Sequence, residues 1–594
     1  MRLLSGNEAI ARGAYEAGVG VAAAYPGTPS TEILQNIARH YPAIYAEWAP
    51  NEKVAIEVGI GASLGGARVL VAMKHVGVNV AADPLVTLSY TGVNAGLVLI
   101  SADDPGMHSS QNEQDNRYYA RLAETPLIEP ADSQEAKDFV RFALELSETY
   151  DVPVILRTTT RVAHSKSLVQ ESEPVDLVKK PYEKDFTKYV MVPANARVRH
   201  SLFDERRERL RQVAERTPLN RIEKGDGRIG IITSGIAYYY VKEAFPWASV
   251  LKLGMSQPLP SELIRAFARQ VERLFVVEEL EPFLEEQVAA LRLSVRGKEL
   301  IPRTGELSPA VIRRFLMQDP YLAEAAREHD PQAPAGAQEE ISSLPHAPLP
   351  ARPPVLCPGC PHRGLFYVLK KLGLRVMGDI GCYTLGSLPP LSAMDTCICM
   401  GAGVGMVHGM AKADPDSAVK TVAVIGDSTF IHSGITGLID IVYNQGASVV
   451  IIADNRTTAM TGHQDHPGTG KTLRREPVKA LNLAKLARAA GVPHVFTVDP
   501  FDLAATKRTL QKALRIPEPV VVISSRPCIL LSPVTPAPVP VNPELCRGCK
   551  LCLQIGCPAL SYRDRVIINP HLCVGCGLCA QVCRKGAIGK EGEK

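Results

Sequence analysis

No uninterrupted apolar run in these 594 residues reaches the length of a membrane span. An excess of either charge is missing too, with 66 basic residues against 62 acidic. That balance carries no electrostatic footprint for nucleic acid or a membrane surface, so neither is expected as a partner. The N-terminus, MRLLSGNEAIARGAYEAG, lacks a secretory leader's apolar stretch and has Glu8 where one would stand. We therefore expect a cytoplasmic protein. Its fourteen cysteines argue, in that compartment, against disulfides and for metal or redox work. The hydrophobic fraction of 46% is ordinary for a globular chain. At roughly 150 residues per domain, the length suggests about four domains.

The chain is organised around Ile425 to Gln464, IGDSTFIHSGITGLIDIVYNQGASVVIIADNRTTAMTGHQ. Thr421 to Ile425 reads as a buried strand and breaks at Gly426-Asp427. A second apolar run, Ser448 to Ala453, ends in Asp454-Asn455. An Asp and an Asn thus follow two strands with a helix between them, at the sheet edge where ligands bind. Glycine lets backbone approach a diphosphate, and Asp427 and Asn455 offer the hard oxygens Mg²⁺ takes. The alternative is an ordinary strand–turn–helix crossover. His432 follows the turn, either as an acid or base toward a substrate or with a structural bond at a helix start.

Earlier in the chain, Val19 to Tyr25 is a strand that breaks at Pro26-Gly27-Thr28-Pro29-Ser30 before a helix opens. Hydroxyls there suit an anion such as a carboxylate, or a simple N-cap. NEKVAIEVGIGASLGGAR, from Asn51 to Arg68, is a Gly/Ala-rich helix holding Glu52 and Glu57. Val69 to Lys74 and Leu97 to Ile100 continue a sheet that Val152 to Arg157 closes. The polar run Gly106 to Arg117 reads as a lid or a plain surface loop. Residues 166–224 are charged and irregular, and Arg228 to Ser234 opens a second α/β unit. A Pro- and Ala-rich linker covers 328–354.

The tail carries two C-x₂-C-x₂-C runs, Cys546, Cys549, Cys552 and Cys573, Cys576, Cys579, each with a remote fourth cysteine, Cys557 and Cys583. This is the spacing of a two-cluster ferredoxin, in which the fourth cysteine serves the other cluster. One 4Fe–4S site is then Cys546, Cys549, Cys552 and Cys583, and the other Cys573, Cys576, Cys579 and Cys557. Four residues rather than three precede Cys557, and zinc is the competing reading.

These motifs jointly resemble the thiamine diphosphate-dependent 2-oxoacid:ferredoxin oxidoreductases. The GDS-to-Asn pair resembles their GDG-to-Asn motif, with Ser428 in place of a glycine. NRTTAMTGHQ resembles their NxxYxMTGGQ segment, and YPGTPSTEI their YPITPS segment. The resemblance implies that Gly426, Asp427, Ser428, Asn455, Thr457 and Met460 bind the cofactor, with Asp427, Asn455 and the Thr457 carbonyl on Mg²⁺. It places Thr28 near the substrate carboxylate. It implies a buried glutamate bonded to N1′ of the aminopyrimidine. EVGIGASLGGAR favours Glu57, with Glu52 the fallback. It also implies a third cluster on Cys357 and Cys360 of CPGC, Cys382 of DIGC and Cys528 of RPC. Buried structural thiols are the other reading, and Cys397 and Cys399 have no counterpart.

The domain order resembles the α subunits of the family's indolepyruvate branch. The expected fold is α/β and multidomain: a pyrimidine-binding domain over 1–190, a connector and transketolase C-terminal-like domain over 191–327, the linker, a diphosphate-binding domain over 355–535, and a two-cluster ferredoxin-like domain over 540–594. The implied reaction takes an arylpyruvate, coenzyme A and oxidised ferredoxin to an aryl-acetyl-CoA, CO₂ and reduced ferredoxin, with a smaller β subunit as partner. A pyruvate or 2-oxoglutarate enzyme, or a non-catalytic electron-transfer subunit, are the alternatives.

Overall fold

The structure is a computed structural model and describes residues 1–176, 179–329, 353–531 and 537–589. Most of the expected linker, residues 330–352, lies outside the described residues. The chain divides into two compact units, Met1–Leu349 and Pro350–Lys594.

In the first unit the apolar runs form a seven-stranded sheet. Its order is Met255–Gln257, Leu127–Ile128, Val154–Thr159, Leu97–Asp103, Arg68–Lys74, Val19–Ala24 and Tyr45–Trp48. Every pair is parallel except the first. All residues of Arg68–Lys74, Leu97–Asp103 and Val154–Thr159 are buried. Strands covered on both faces have no reason to alternate apolar with polar, so they read as continuous apolar runs. The helix Glu52–Leu64 lies against Val19–Ala24 and Arg68–Lys74. A Cβ on its Gly59 would stand 2.7 Å from Val71, so the small residues set how closely helix and sheet approach.

The strand expected to close this sheet, Val152–Arg157, is interior instead. The sheet runs on through Leu127–Ile128 to Met255–Gln257, the latter from beyond the expected boundary at residue 190. Strands of two and three residues carry no readable period. A second sheet, ordered Arg273–Val277, Ile229–Ser234, Ser249–Leu253 and Asn220–Glu223, follows a 24-residue helix, Pro193–Arg216, inside the charged connector.

Buried ion pairs join the segments of this unit. Arg117 reaches Asp115 and, at 2.6 Å, Glu278, while Arg157 reaches Asp103 and Glu129, both at 2.7 Å. Asp115, Asn116 and Arg117 are buried, so the run expected as a lid is fixed at its C-terminal end.

The second unit holds a six-stranded parallel sheet, ordered Thr396–Cys397, Arg375–Gly378, Thr421–Gly426, Val449–Asp454, Val520–Ser525 and His494–Val498. The tail adds a hairpin, Leu560–Arg563 with Arg565–Ile568. It does not stand off on a tether. Ile555 and Leu578 share a core with Phe366 and Leu503. Gln581 donates to the Phe501 carbonyl at 2.6 Å and accepts from the Leu503 amide at 3.1 Å. Among the described residues no helix is long and apolar enough to cross a membrane.

Candidate active site

Thr421–Gly426 and Val449–Asp454 are adjacent, paired from Val422 with Val449 to Gly426 with Ala453. Asp427 and Asn455 therefore leave the same sheet edge. Asp427 enters a helical turn that passes through a π turn, Phe430–Gly434, into Ile435–Tyr443. Such turns concentrate at functional sites. The Asp427 carboxylate accepts the Ser428 amide at 2.9 Å and the Arg456 amide at 2.8 Å, with His466 Nε2 3.2 Å away. Burial, with the charge of Asp427 beside it, holds Asp454 above the usual carboxylate range. Two neighbouring carboxylates with the buried Asn455 amide are a donor set that fits Mg²⁺.

Asn455 Oδ1 accepts the Thr457 amide at 3.3 Å, and Nδ2 lies 3.5 Å from His362 Nε2. Burial lowers His362 to about 4, so its ring is neutral at pH 7. The segment to Gln464 folds back on itself through a bridge between Thr458 and Gln464. The Thr458 hydroxyl donates to Ser428 Oγ at 3.0 Å. Ser428, the departure from glycine, thus ties the two halves of the motif together. Gly426 must be glycine, because a Cβ there would stand 2.8 Å from the Tyr383 ring. Met460 is exposed. His432 is buried, with Nδ1 2.9 Å from Ser433 Oγ. That hydroxyl donates to the Met400 carbonyl, so the imidazole carries its proton on Nδ1.

The cysteines of CPGC, DIGC and RPC come together beside this edge. Burial pushes the Cys360 thiol up to about 12, with Cys382 and Cys357 adding to it. Burial pushes Cys382 up to about 11, with Cys528 and Cys357 adding. In the tail the remote cysteines cross over. Burial raises Cys552, and Cys583, Cys549 and Cys546 add. Burial pushes Cys579 up to about 12, with Cys576, Cys557, Cys573 and Cys552 adding. Among the described residues no three His, Cys, Asp or Glu side chains are placed around a single ion. The thiols of a 4Fe–4S cube bind separate irons and stand further apart. Cys557, Cys573, Cys576 and Cys579 line one apolar cavity, a donor set of the kind such a group takes. Cys397 and Cys399 lie instead by Asp379, whose carboxyl burial pushes up to about 7 and which accepts the Gly401 amide at 2.8 Å.

In the first unit, Thr28 is half-buried in the turn before the helix Thr31–His40. Ser30 does not cap that helix; its hydroxyl donates to the Gly27 carbonyl at 2.8 Å. Lys74, which sequence reasoning missed, packs beside Gly27, and burial lowers it to about 8. The two glutamates reverse the expectation. The resemblance favours Glu57 for the buried role with Glu52 the fallback, but Glu52 is 5% exposed, while the Glu57 side chain is 44% exposed and paired with Lys53. Asn51 caps the helix, accepting the Val54 amide at 2.9 Å. That cap turns Glu52 inward against Gly77, where a Cβ would stand 2.6 Å from its Oε1. Five residues on, about 140° round the helix, Glu57 points outward.

Three family descriptions match the chain: "pyruvate flavodoxin/ferredoxin oxidoreductase, thiamine diP-bdg" over residues 12–218, "thiamine pyrophosphate enzyme, C-terminal TPP binding domain" over 379–524, and "4Fe-4S binding domain" over 566–589. The indolepyruvate oxidoreductase subunit IorA of Pyrococcus horikoshii is 42% identical, across 94% of this chain and 92% of that protein. The subunit of the same name from Methanothermobacter marburgensis is 42% identical across 100% of this chain and 97% of its own. A 2-oxoglutarate synthase subunit KorA from Methanocaldococcus jannaschii is 30% identical over 31% of this chain and 53% of its own. The thiol groups, the strand-edge carboxylates and this identity over nearly the whole length agree, and the chain belongs to the indolepyruvate oxidoreductase IorA family of thiamine diphosphate and iron–sulfur enzymes.

Proposed function

We propose that the chain oxidatively decarboxylates arylpyruvates, indolepyruvate among them. The acid, coenzyme A and oxidised ferredoxin become an aryl-acetyl-CoA, CO₂ and reduced ferredoxin. One observation carries this reading: the Cys528 amide donates to the Asn455 carbonyl at 2.9 Å, which joins a thiol group to the diphosphate edge. A decarboxylase that kept its electrons on the substrate would have no use for thiols there.

Bound thiamine diphosphate supplies an electron sink for the carbon left by decarboxylation. Asp427, Asn455 and the Thr457 carbonyl would hold Mg²⁺, with Gly426, Ser428 and Met460 about the cofactor. Glu52, rather than Glu57, would bond N1′, because it is buried against Gly77 while Glu57 pairs with Lys53 in solvent. Thr28, with Lys74 nearby, would orient the substrate carboxylate. His432, its ring held by Ser433, would serve as an acid or base toward the substrate. Cys357, Cys360, Cys382 and Cys528 would hold one 4Fe–4S cluster. Cys557, Cys573, Cys576 and Cys579 would hold a second, and Cys546, Cys549, Cys552 and Cys583 a third. A smaller β subunit, a coenzyme A site and a cytoplasmic location belong to the same reading.

The test is turnover by the chain purified with its partner subunit, on indolepyruvate, phenylpyruvate, pyruvate and 2-oxoglutarate, with coenzyme A and ferredoxin. The aryl substrates are expected to give the highest kcat/KM. A preference for pyruvate or 2-oxoglutarate would overturn the substrate assignment, and no ferredoxin reduction with any acid would overturn the activity.

A further inference from the structure

Arg363, in the helix His362–Leu372, is 2% exposed, and among the described residues it donates to backbone carbonyls. Nε donates to the Cys357 carbonyl at 2.9 Å, and Nη2 to that of Leu356. Nη1 donates to the carbonyls of Ile555, at 3.3 Å, and Gly556. The Gly556 carbonyl carbon is bonded to the nitrogen of Cys557. One guanidinium therefore spans two peptides, each of which bears a cysteine of a different thiol group. No carboxylate pairs with it among the described residues, and a buried cation without an anion is costly. The thiols of Cys557, Cys360, Cys357 and Cys576 lie near enough to act on its charge. The fold alone gives no reason for a charge here, since Leu578 and Ile555 already seat the tail by apolar contact.

We propose that Arg363 is a positioning residue for electron transfer, tying the CPGC thiol group to the nearer thiol group of the tail and setting both reduction potentials. This rests on the cluster assignment above. One electron leaves the iron–sulfur group on Cys357, which is oxidised, and enters the group on Cys557, which is reduced. No bond breaks and no proton moves. The fixed positive charge favours the reduced, more negative form of each group. The fork geometry gives a continuous path from the Cys357 carbonyl through the guanidinium to the Cys557 peptide. Lysine keeps the charge but cannot span both carbonyls.

The full-length chain with its iron is compared with Arg363→Gln and Arg363→Lys. Lys371→Ala serves as control, because Lys371 also links this helix to the tail, by a 2.7 Å bond to Gln554. Iron content, potentiometric EPR titration and the rate at which reducing equivalents reach the tail are measured. Both Arg363 variants are expected to keep wild-type iron. Arg363→Gln is expected to move both midpoint potentials to more negative values. Arg363→Lys should leave them near wild type yet slow passage to the tail by about tenfold or more. Lys371→Ala should change neither. Unchanged potentials and rates in the glutamine variant, or iron lost from the lysine variant, would overturn the proposal. A wild-type chain with no signal from the CPGC group would remove the cluster assignment itself, and this inference with it.

Discussion

Glu52 and Glu57 lie on the same helix, yet one is buried against Gly77 and the other pairs with Lys53 in solvent. An acid that must share a proton with a cofactor nitrogen belongs on the buried side. We predict that Glu52→Gln binds thiamine diphosphate but slows exchange of its C2 proton by orders of magnitude, as followed by NMR. Glu57→Gln should exchange at the wild-type rate. The reverse pattern would restore Glu57 to the role.

The Asp427 carboxylate contacts both halves of the motif, through the Ser428 and Arg456 amides. Asp427→Ala is expected to abolish retention of thiamine and Mg²⁺ while iron content stays at the wild-type level. Wild-type thiamine in the purified variant would falsify the assignment.

Cys360 is the most buried thiol of the CPGC group, and Cys397 stands outside every group of four. Cys360→Ser in the full chain should lower iron by about four atoms, the content of one 4Fe–4S centre. Cys397→Ser should lose none. Equal iron in both variants would leave the CPGC cysteines as structural thiols.

Burial pushes Glu279 up to about 7, against an ordinary 4.5, with the Leu307 amide and Arg157 pulling it down and Glu306 pushing it up. Below pH 4.5 the proton is bound in folded and unfolded chains alike. Between that value and 7 only the folded chain keeps it, so stability falls as pH rises, by up to ~1.4 kcal/mol per pH unit. Above 7 the contribution is gone. Glu279→Gln should flatten this fall in a series of thermal midpoints across pH 4.5 to 8. Parallel curves for the two proteins would show that another group sets the slope.

The strand ends bearing Asp427 and Asn455 were legible because two apolar runs and two hard donors form a local pattern. The crossing of Cys557 and Cys583 was legible for the same reason, being written in spacing alone. What stayed hidden depends on partners far away in the sequence. The inward turn of Glu52 is set by the Asn51 cap and by Gly77, which periodicity of so apolar a helix does not reveal. His362 and His466 each stand two residues past a motif read for its cysteines or amides, and their contacts with Asn455 and Asp427 appear only once the loops fold back. Arg363 has no pattern of its own, since its partners lie up to 193 residues away. The strands Leu127–Ile128 and Met255–Gln257 are too short to announce themselves.

The last of those strands has a consequence for synthesis of the chain. Residues emerge from the ribosome in order, at about 5–20 per second, and domains ordinarily fold as they are completed. Here the N-terminal sheet cannot pair its Leu127–Ile128 edge until Met255–Gln257 has been made, more than a hundred residues later. An unpaired strand edge is a template for foreign strands. The nascent chain therefore spends seconds with that edge uncovered. A fragment ending near residue 190 would keep it uncovered permanently, however complete its hydrophobic interior.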